Sequence, residues 1–377
     1  MHRGAVFSLA RQRGFALYGE RAEKRQNMLA EFLSEYLSPY WGPLRLLSSI
    51  TVLSTIGAFA GSVLSLFLLP RVWHLATRDK GRNHAHNAAA SVGKPLGVGI
   101  FMNLIFLALV VLLVPWDPRF YICALAVLAA SCVGLADDVK PGGFSELTLG
   151  LSDAALALVA ASAILYGRDI VMWVPFTSTE FEIPFWMGLI IFSSVIWLSV
   201  NALNCNDGVD GLSGTLSLIT LTTLGFVIYS VIGNIENSAY LLIPFNSGAP
   251  IWVIGNAIMV GVIVGYLWHN APPSVALMGD AGSRPIGLFI GMMVTVTGNP
   301  FMILFVAMMI LVNGVTGLLK VGLIRVFRIR IFQNVRFPLH DHVRKNLEWS
   351  NSQVLLRFIL IHFVTLSFLV LLLLKLR

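Results

Sequence analysis

The sequence predicts an all-α polytopic membrane protein, and three observations carry that expectation. Of 377 residues, 56% are hydrophobic and only 12% charged, with a mean hydropathy of +0.79, a balance that water-soluble domains do not keep. Mainly apolar windows of about 20 residues, the length needed to cross a hydrocarbon core, follow one another through most of the chain after residue 46. These windows are continuous rather than alternating, which favours helices over a barrel.

Residues 1 to 27 form a polar leader with Arg3, Arg11, Arg13, Arg21, Lys24 and Arg25, and they lack the apolar core of a signal peptide. They read as an extension or a mis-assigned start, with residues 28 to 377 as one integral-membrane domain. An amphipathic segment, MLAEFLSEYLSPYWGPLRLL, leads into the first span. Ten spans are expected near residues 47–69, 96–114, 119–136, 149–166, 185–203, 212–232, 250–268, 284–298, 300–324 and 354–374. An even number places both termini on one side. Loops after the odd-numbered spans carry Arg71, Arg78, Lys80, Arg82, Arg325, Arg328, Arg330, Arg336, Arg344 and Lys345; the opposite set carries Arg119, Arg168, Lys375 and Arg377. The positive-inside rule makes the first set cytoplasmic and both termini periplasmic. It also explains the formal charge of +7 more simply than nucleic-acid binding does. Cys123, Cys132 and Cys205 show neither pairing nor ligand spacing and read as packing residues.

Four polar stretches interrupt this apolar chain. The fifth span runs into NALNCNDGVDGLSG, Asn201 to Gly214, where a continued helix would set Asn201, Asn204, Asp207 and Asp210 along one stripe. A carboxylate near a bilayer centre costs roughly 2.5 to 3.5 kcal/mol. The stripe should therefore face a watery cavity, a cation or the bundle interior, although a polar interhelical contact or a plain helix end would also account for it. Gly208 and Gly211 permit a turn beside the two acids. Asp137 and Asp138 close the third span; adjacent carboxylates repel, so a divalent or other cation is a reason to keep both ionised, unless they merely solvate a helix end. In NAPPSVALMGDAGS, Asn270 to Ser283, Asp280 lies between glycines where the eighth span opens. Such a turn exposes backbone N–H groups suited to phosphate, and its carboxylate suits Mg²⁺.

His340-Asp341-His342 follows the ninth span on an arginine-rich loop that suits a pyrophosphate or acidic substrate. Zinc would need cysteines or helical histidine spacing that this segment lacks, and the arginines also serve as positive-inside anchors. All four stretches fall on the cytoplasmic side of the expected topology, so they predict one shared site. Acids, amides, histidines and arginines gathered there point to Mg²⁺-dependent phosphoryl transfer to a lipid. A secondary transporter is the reading from another class, but it would place its acids near the midplane, often with inverted repeats; here they stand at helix ends.

NALNCNDGVDGL, GLADDVK, NAPPSVALMGDAGS and PLHDHVRKNLEWSNSQVLLRF together resemble the phospho-N-acetylmuramoyl-pentapeptide transferase family, within the polyprenyl-phosphate N-acetylhexosamine-1-phosphate transferase superfamily. The likeness runs from about Met28 to the C-terminus, and Trp349, Gln353, Arg357 and Phe358 favour this branch over the N-acetylglucosamine-1-phosphate transferases. The resemblance implies ten helices, a homodimer, the bacterial inner membrane and a Mg²⁺ cofactor. It also implies transfer of phospho-MurNAc-pentapeptide from UDP-MurNAc-pentapeptide to undecaprenyl phosphate, giving lipid I and UMP. A sibling enzyme using another UDP-N-acetylhexosamine is the alternative. By position, Asp137 and Asp138 match the family's acidic pair, one of them a base or positioner for the lipid phosphate. Asp280 matches the Mg²⁺-binding aspartate. Asn204, Asp207 and Asp210 match the nucleotide and metal motif, Asp207 being a second expected metal ligand; Asn270, His340 and His342 match substrate-binding positions. The chain also departs from the pattern. Asp341 replaces a histidine and Arg344 a glutamate, and the first-loop motif becomes KPLGVG, Lys94 to Gly99. Ala88, Ala89, Ala90 and Ser91 stand where lysines are expected, so Lys94 is the expected substitute charge. Leu149 replaces a lysine, and Asp153 falls near an expected glutamine.

Overall fold

The computed structural model describes residues 33–81, 91–168, 170–173, 180–329 and 334–375. The leader, Arg82, Ala88 to Ala90 and Arg330 lie outside the described residues. The chain is mostly helical: α1 (Ile50–Val72), α2 (Gly99–Leu113), α3 (Pro118–Val139), α4 (Glu146–Leu165), α5 (Phe185–Asn206), α6 (Leu212–Val227), α7 (Ile235–Leu241), α8 (Ala249–Asn270), α9 (Asp280–Val296), α10 (Met302–Val306), α11 (Met308–Gly322), α12 (Leu339–Asn346) and α13 (Asn351–Lys375). Among the described residues, seven helical stretches are long and apolar enough to cross a membrane, and Gly99–Leu113 and Met308–Gly317 are shorter apolar helices. Phe59, Phe67, Leu125, Leu151, Ile190, Phe226 and Phe363 are exposed on the outer faces, where a bilayer would solvate them.

Helix α9 sits at the centre. All its residues, from Asp280 to Val296, are buried, and it packs against α2, α3, α5 and α6. Small residues make that approach possible, as they do between helices in lipid. A Cβ on Gly134 of α3 would strike the backbone of Asp280 and Ala281, and one on Gly99 would strike Gly282. Polar side chains lock the same corner. Ser131 Oγ donates to the Ala281 carbonyl at 2.6 Å, and Asn103 Nδ2 donates to the Gly99 and Ala281 carbonyls at 2.8 and 3.3 Å.

Short pairings seal the ends of the bundle. Strand β1 (Thr77–Arg78) pairs antiparallel with β2 (Pro95–Leu96), and the backbone after β2 bonds on to residues 277 and 278 through Leu277 N–H to Pro95 O and Gly99 N–H to Met278 O. The Lys94 to Gly99 loop is thereby fixed beside the start of α9. Elsewhere β3 (Ile170–Trp173) pairs with β4 (Glu180–Ile183).

The structure departs from the sequence expectation in three places. The span expected over 300–324 is broken at Ala307 (φ −121°, ψ 26°) between α10 and α11. Side chains meet the polar groups at the break: Thr220 Oγ1 donates to Val306 O at 3.0 Å, and His362 Nδ1 accepts the Met309 N–H at 3.4 Å. The expected fifth span, 185–203, runs three residues further, and the stripe is not one continuous helix face. Helix α5 ends at Asn206, Asp207 leaves helical geometry at φ −84°, ψ 51°, and Gly211 enters α6 at φ 77°, so Asp207 and Asp210 lie on a turn. His340-Asp341-His342 lies on α12 rather than on a loop. Pro338, at φ −60°, precedes its first turn, and Asp341 sits in that turn, where the dipole favours a carboxylate.

The packing at Gly134 predicts that Gly134→Ala lowers the thermal unfolding temperature in detergent by several degrees, since forced overpacking costs roughly 1–3 kcal/mol. Gly150→Ala, whose Cβ would meet nothing within 4 Å, should hold or raise it.

Candidate active site

Three of the four polar stretches meet at the N-terminus of α9, while the His340–His342 segment stands behind the Asp207–Asp210 turn. Gly279 turns the chain into that helix at φ 64°, ψ −168°, a backbone region that side chains disfavour. A Cβ there would also strike the Asp138 carboxylate. Asp138 closes the helix end: its Oδ1 accepts the Asp280 N–H at 3.2 Å and its Oδ2 the Ala281 N–H at 3.1 Å. The Gly279 carbonyl accepts the N–H groups of Gly282 and Ser283 at 3.1 and 3.0 Å. The backbone amides expected to face phosphate are thus already bonded inside the protein. Asp138 is an N-cap delivered by α3, and its charge complements the helix dipole. Its neighbour Asp137 accepts the Phe144 N–H at 2.5 Å and so closes the turn after α3.

Asp280 is engaged as well. Its Oδ2 accepts Arg284 Nε at 2.9 Å, and Arg284 Nη1 donates to Asp153 Oδ2 of α4 at 2.6 Å. All three are buried, Arg284 to 4% exposure. Asn204 Nδ2 donates to Ser283 Oγ at 3.1 Å. Around these groups opens a cavity of about 1340 Å³, lined by Asp137, Asp138, Asn204, Asp280 and Arg284, with Lys320 and Arg336 among its basic groups.

A neighbouring cavity of about 150 Å³ is lined by Asp207, Asp210, Asn270 and Gly279; Asp79 and Leu96 line both. Asp207 accepts Ser213 Oγ at 2.7 Å. Asp210 accepts the Ser274 N–H at 3.0 Å and its hydroxyl at 2.8 Å. Lys94 Nζ donates to the same hydroxyl at 3.0 Å and lies 3.9 Å from Asp210. Asn270 braces the loops from both ends of its amide, accepting the Gly211 N–H at 2.8 Å and donating to Ala276 O at 2.9 Å.

His340 supports this region from behind. Its N–H donates to Asn313 Oδ1 at 2.9 Å, and Asn313 Nδ2 donates to Asn206 Oδ1 at 2.6 Å. Gly208 packs on the His340 ring so closely that a Cβ there would strike Nε2. Burial pushes the His340 imidazole down to about 4, with Asp341 opposing the shift and Arg344 adding to it. Burial also lowers the Arg344 guanidinium against the pull of Asp341 and Asp210; this side chain lies 3.5 Å from Gly208 O and from Asp341 Oδ1. His342 Nδ1 accepts the Arg336 N–H at 3.3 Å. Lys94, His340 and His342 line neither cavity.

Among the described residues no group of three or more His, Cys, Asp or Glu gathers as a metal site, and the two expected ligands, Asp280 and Asp207, line different cavities. Magnesium commonly takes one or two carboxylates plus water and substrate phosphates. The oxygen donors of Asp137, Asp280 and Asn204 around the larger cavity fit that partial ligand set.

Sequence reasoning missed Arg284, Ser213, Ser274, Ser283, Asn206 and Asn313. Arg284 carried a usable signal, being the one charge between Asp280 and Lys320 and standing a helical turn after Asp280. Ser274, Ser283, Asn206 and Asn313 carried none, since their partners lie far away in the chain.

Comparison with known proteins gives the family. The glycosyl transferase family 4 model matches residues 120–298, a stretch that contains the acidic pair, the turn after α5 and Asp280. The phospho-N-acetylmuramoyl-pentapeptide-transferase of Treponema pallidum (strain Nichols) is 42% identical over 334 residues, covering 86% of this chain and 91% of that protein. The protein of the same name from Campylobacter jejuni (serotype O:6) is 31% identical over 332 residues, covering 82% and 91%. That from Aliarcobacter butzleri is 27% identical over 355 residues, covering 89% and 97%. Identity of this degree along nearly the whole length of such relatives means that the chain belongs to the phospho-N-acetylmuramoyl-pentapeptide-transferase family.

Proposed function

We propose that the protein transfers phospho-MurNAc-pentapeptide from UDP-MurNAc-pentapeptide to undecaprenyl phosphate, releasing UMP and forming lipid I for peptidoglycan synthesis. The observation that carries this reading is the gathering of Asp137, Asp138, Asn204, Asp280 and Arg284 around one cavity of about 1340 Å³ at the end of an apolar helical bundle. Small-molecule sites usually measure about 300–1,000 Å³, so there is room for a nucleotide and a lipid headgroup together. The chain crosses the bacterial inner membrane ten times with both termini periplasmic, and its site faces the cytoplasm. Arg78, Lys80, Lys140, Lys320 and Arg336 around the same cavity support that orientation under the positive-inside rule. The working unit is a homodimer, as the resemblance implies.

In the reaction, an oxygen of the lipid phosphate attacks the β-phosphorus, the bond from that phosphorus to the oxygen bridging it to the α-phosphate breaks, and UMP leaves with that oxygen. Asp137, bonded to a single backbone N–H, orients the lipid phosphate and takes its proton. Asp138, committed to the end of α9, positions Asp280. Asp207, Asp210, Asn270 and Lys94 shape the loops that receive the nucleotide, and His340 and His342 hold α12 behind them. Asp280 and Asn204 would hold a magnesium ion; Asp207, the second ligand the resemblance implies, lines the other cavity. When bound, this cofactor would supply positive charge to the diphosphate.

Purified protein given undecaprenyl phosphate and each UDP-sugar in turn should form product from UDP-MurNAc-pentapeptide; product only from another UDP-N-acetylhexosamine would assign it to the sibling class. Asp137→Asn should lower kcat about 10²–10⁴-fold while nucleotide affinity measured by equilibrium binding stays within threefold. The buried His340 generates a pH prediction. Its unfolded form protonates near 6.5 and its folded form near 4, so the unfolded state gains protons first as pH falls. Stability present above pH 6.5 should drop by on the order of 3 kcal/mol by pH 4. His340→Asn should flatten this decline in detergent melting curves, and an unchanged slope would contradict the assignment.

A further inference from the structure

We infer that Arg284 is a further substrate-contacting residue, whose guanidinium binds the diphosphate of the nucleotide substrate in the larger cavity. This inference rests on reading that cavity as a nucleoside-diphosphate site. Its starting point is the end of α9, where a phosphate would be expected to take backbone N–H groups. Those of Asp280 and Ala281 are bonded to Asp138, and those of Gly282 and Ser283 to the Gly279 carbonyl. An anion in the cavity must therefore find its positive partner among side chains. Arg284 is one helical turn away and lines the cavity together with Asp280.

The guanidinium is held as a fixed fork. Nε goes to Asp280 at 2.9 Å and Nη1 to Asp153 at 2.6 Å, two carboxylates on different helices. Only two of its five N–H groups are bonded in this way, and Nη2, which has no hydrogen-bond partner among the described residues, is not among the sealed, unsatisfied atoms of the interior. Planar guanidinium geometry lets a second edge take phosphate oxygens while the first stays on carboxylates.

Stability alone is a poor reason for such a group. A cation near the start of a helix opposes the macrodipole, and well-packed apolar residues often replace a buried ion pair at no loss. Two acids flank the arginine, so its orientation survives without substrate. An arriving diphosphate would meet a donor already in place and would not have to order a flexible lysine.

The test is UDP binding to the full-length protein in detergent, with EDTA present so that no divalent ion contributes, comparing the unaltered chain with Arg284→Gln. A dissociation constant at least tenfold higher is expected, with a smaller change for uridine, which has no phosphate. The double variant Asp153→Asn with Arg284→Gln leaves neutral amides in place of the buried pair and should show the same loss with a melting temperature near that of the unaltered protein. UDP affinity within twofold of the unaltered chain in either folded variant overturns the inference. An unaltered protein that binds no UDP either with EDTA or with added Mg²⁺ overturns the nucleotide reading of the cavity and this inference with it. Failure to use UDP-MurNAc-pentapeptide alone, with UDP binding intact, overturns only the choice of sugar.

Discussion

The structure depends on a fully buried helix whose charged end is satisfied from outside itself. Helix α9 lies at the middle of the bundle with every residue from Asp280 to Val296 buried, so the amides of its first turn cannot rely on water. In a protein interior each unsatisfied amide would cost a few kcal/mol. Asp138, from a helix more than a hundred residues earlier, supplies two acceptors, and the Gly279 carbonyl supplies another. The close approach at Gly99 and Gly134 makes this geometry reachable. The same contacts that permit α9 to be buried also bring Asp137 and Asp280 to one cavity.

From that junction outward, the polar groups divide into two kinds. Asp138, Asn270, Asp210 with Ser274, and the Asn206–Asn313–His340 chain bond mostly to backbone or to one another. They hold loops in place, and their burial keeps His340 neutral at ordinary pH. Asp137, Asn204, Asp280 and Arg284 bound the larger cavity and are the groups the proposed reaction uses. A membrane enzyme has reason to build this way. Charges that face a ligand need a rigid frame, and in a low-dielectric bundle that frame must itself be fully hydrogen-bonded.

The departures from the family pattern fit this division. Lys94, in the altered first loop, is tied to Ser274 and Asp210 and stabilises the loop junction. Asp153, which falls near an expected glutamine, pairs with Arg284 of the cavity wall, so opposite charges on separate helices answer one another. Asp341 and Arg344, the altered positions beside the histidines, lie 3.5 Å apart on α12, where their opposite charges offset.

Hydropathy by itself determined that the chain is helical and apolar enough for a membrane, because helices in lipid must satisfy their own backbone and the required length is written in consecutive residues. The four polar stretches were legible for the same reason: charge amid apolar sequence is expensive and therefore conspicuous. Local rules did not reveal the break at Ala307 or the helix carrying His340, because each depends on neighbours that absorb the backbone groups left over. The hydrogen-bond partners of the acids were likewise decided only in three dimensions. Asp137 and Asp138 are adjacent, chemically identical and both at the cavity, and only the position of α9 commits Asp138 to capping a helix while Asp137 closes the turn after α3. Arg284 reads in one dimension as an isolated charge in an apolar run. Its meaning arises because folding places Asp280 and Asp153 on either side of it, and hydrogen bonds between residues 131 positions apart leave no trace in local sequence.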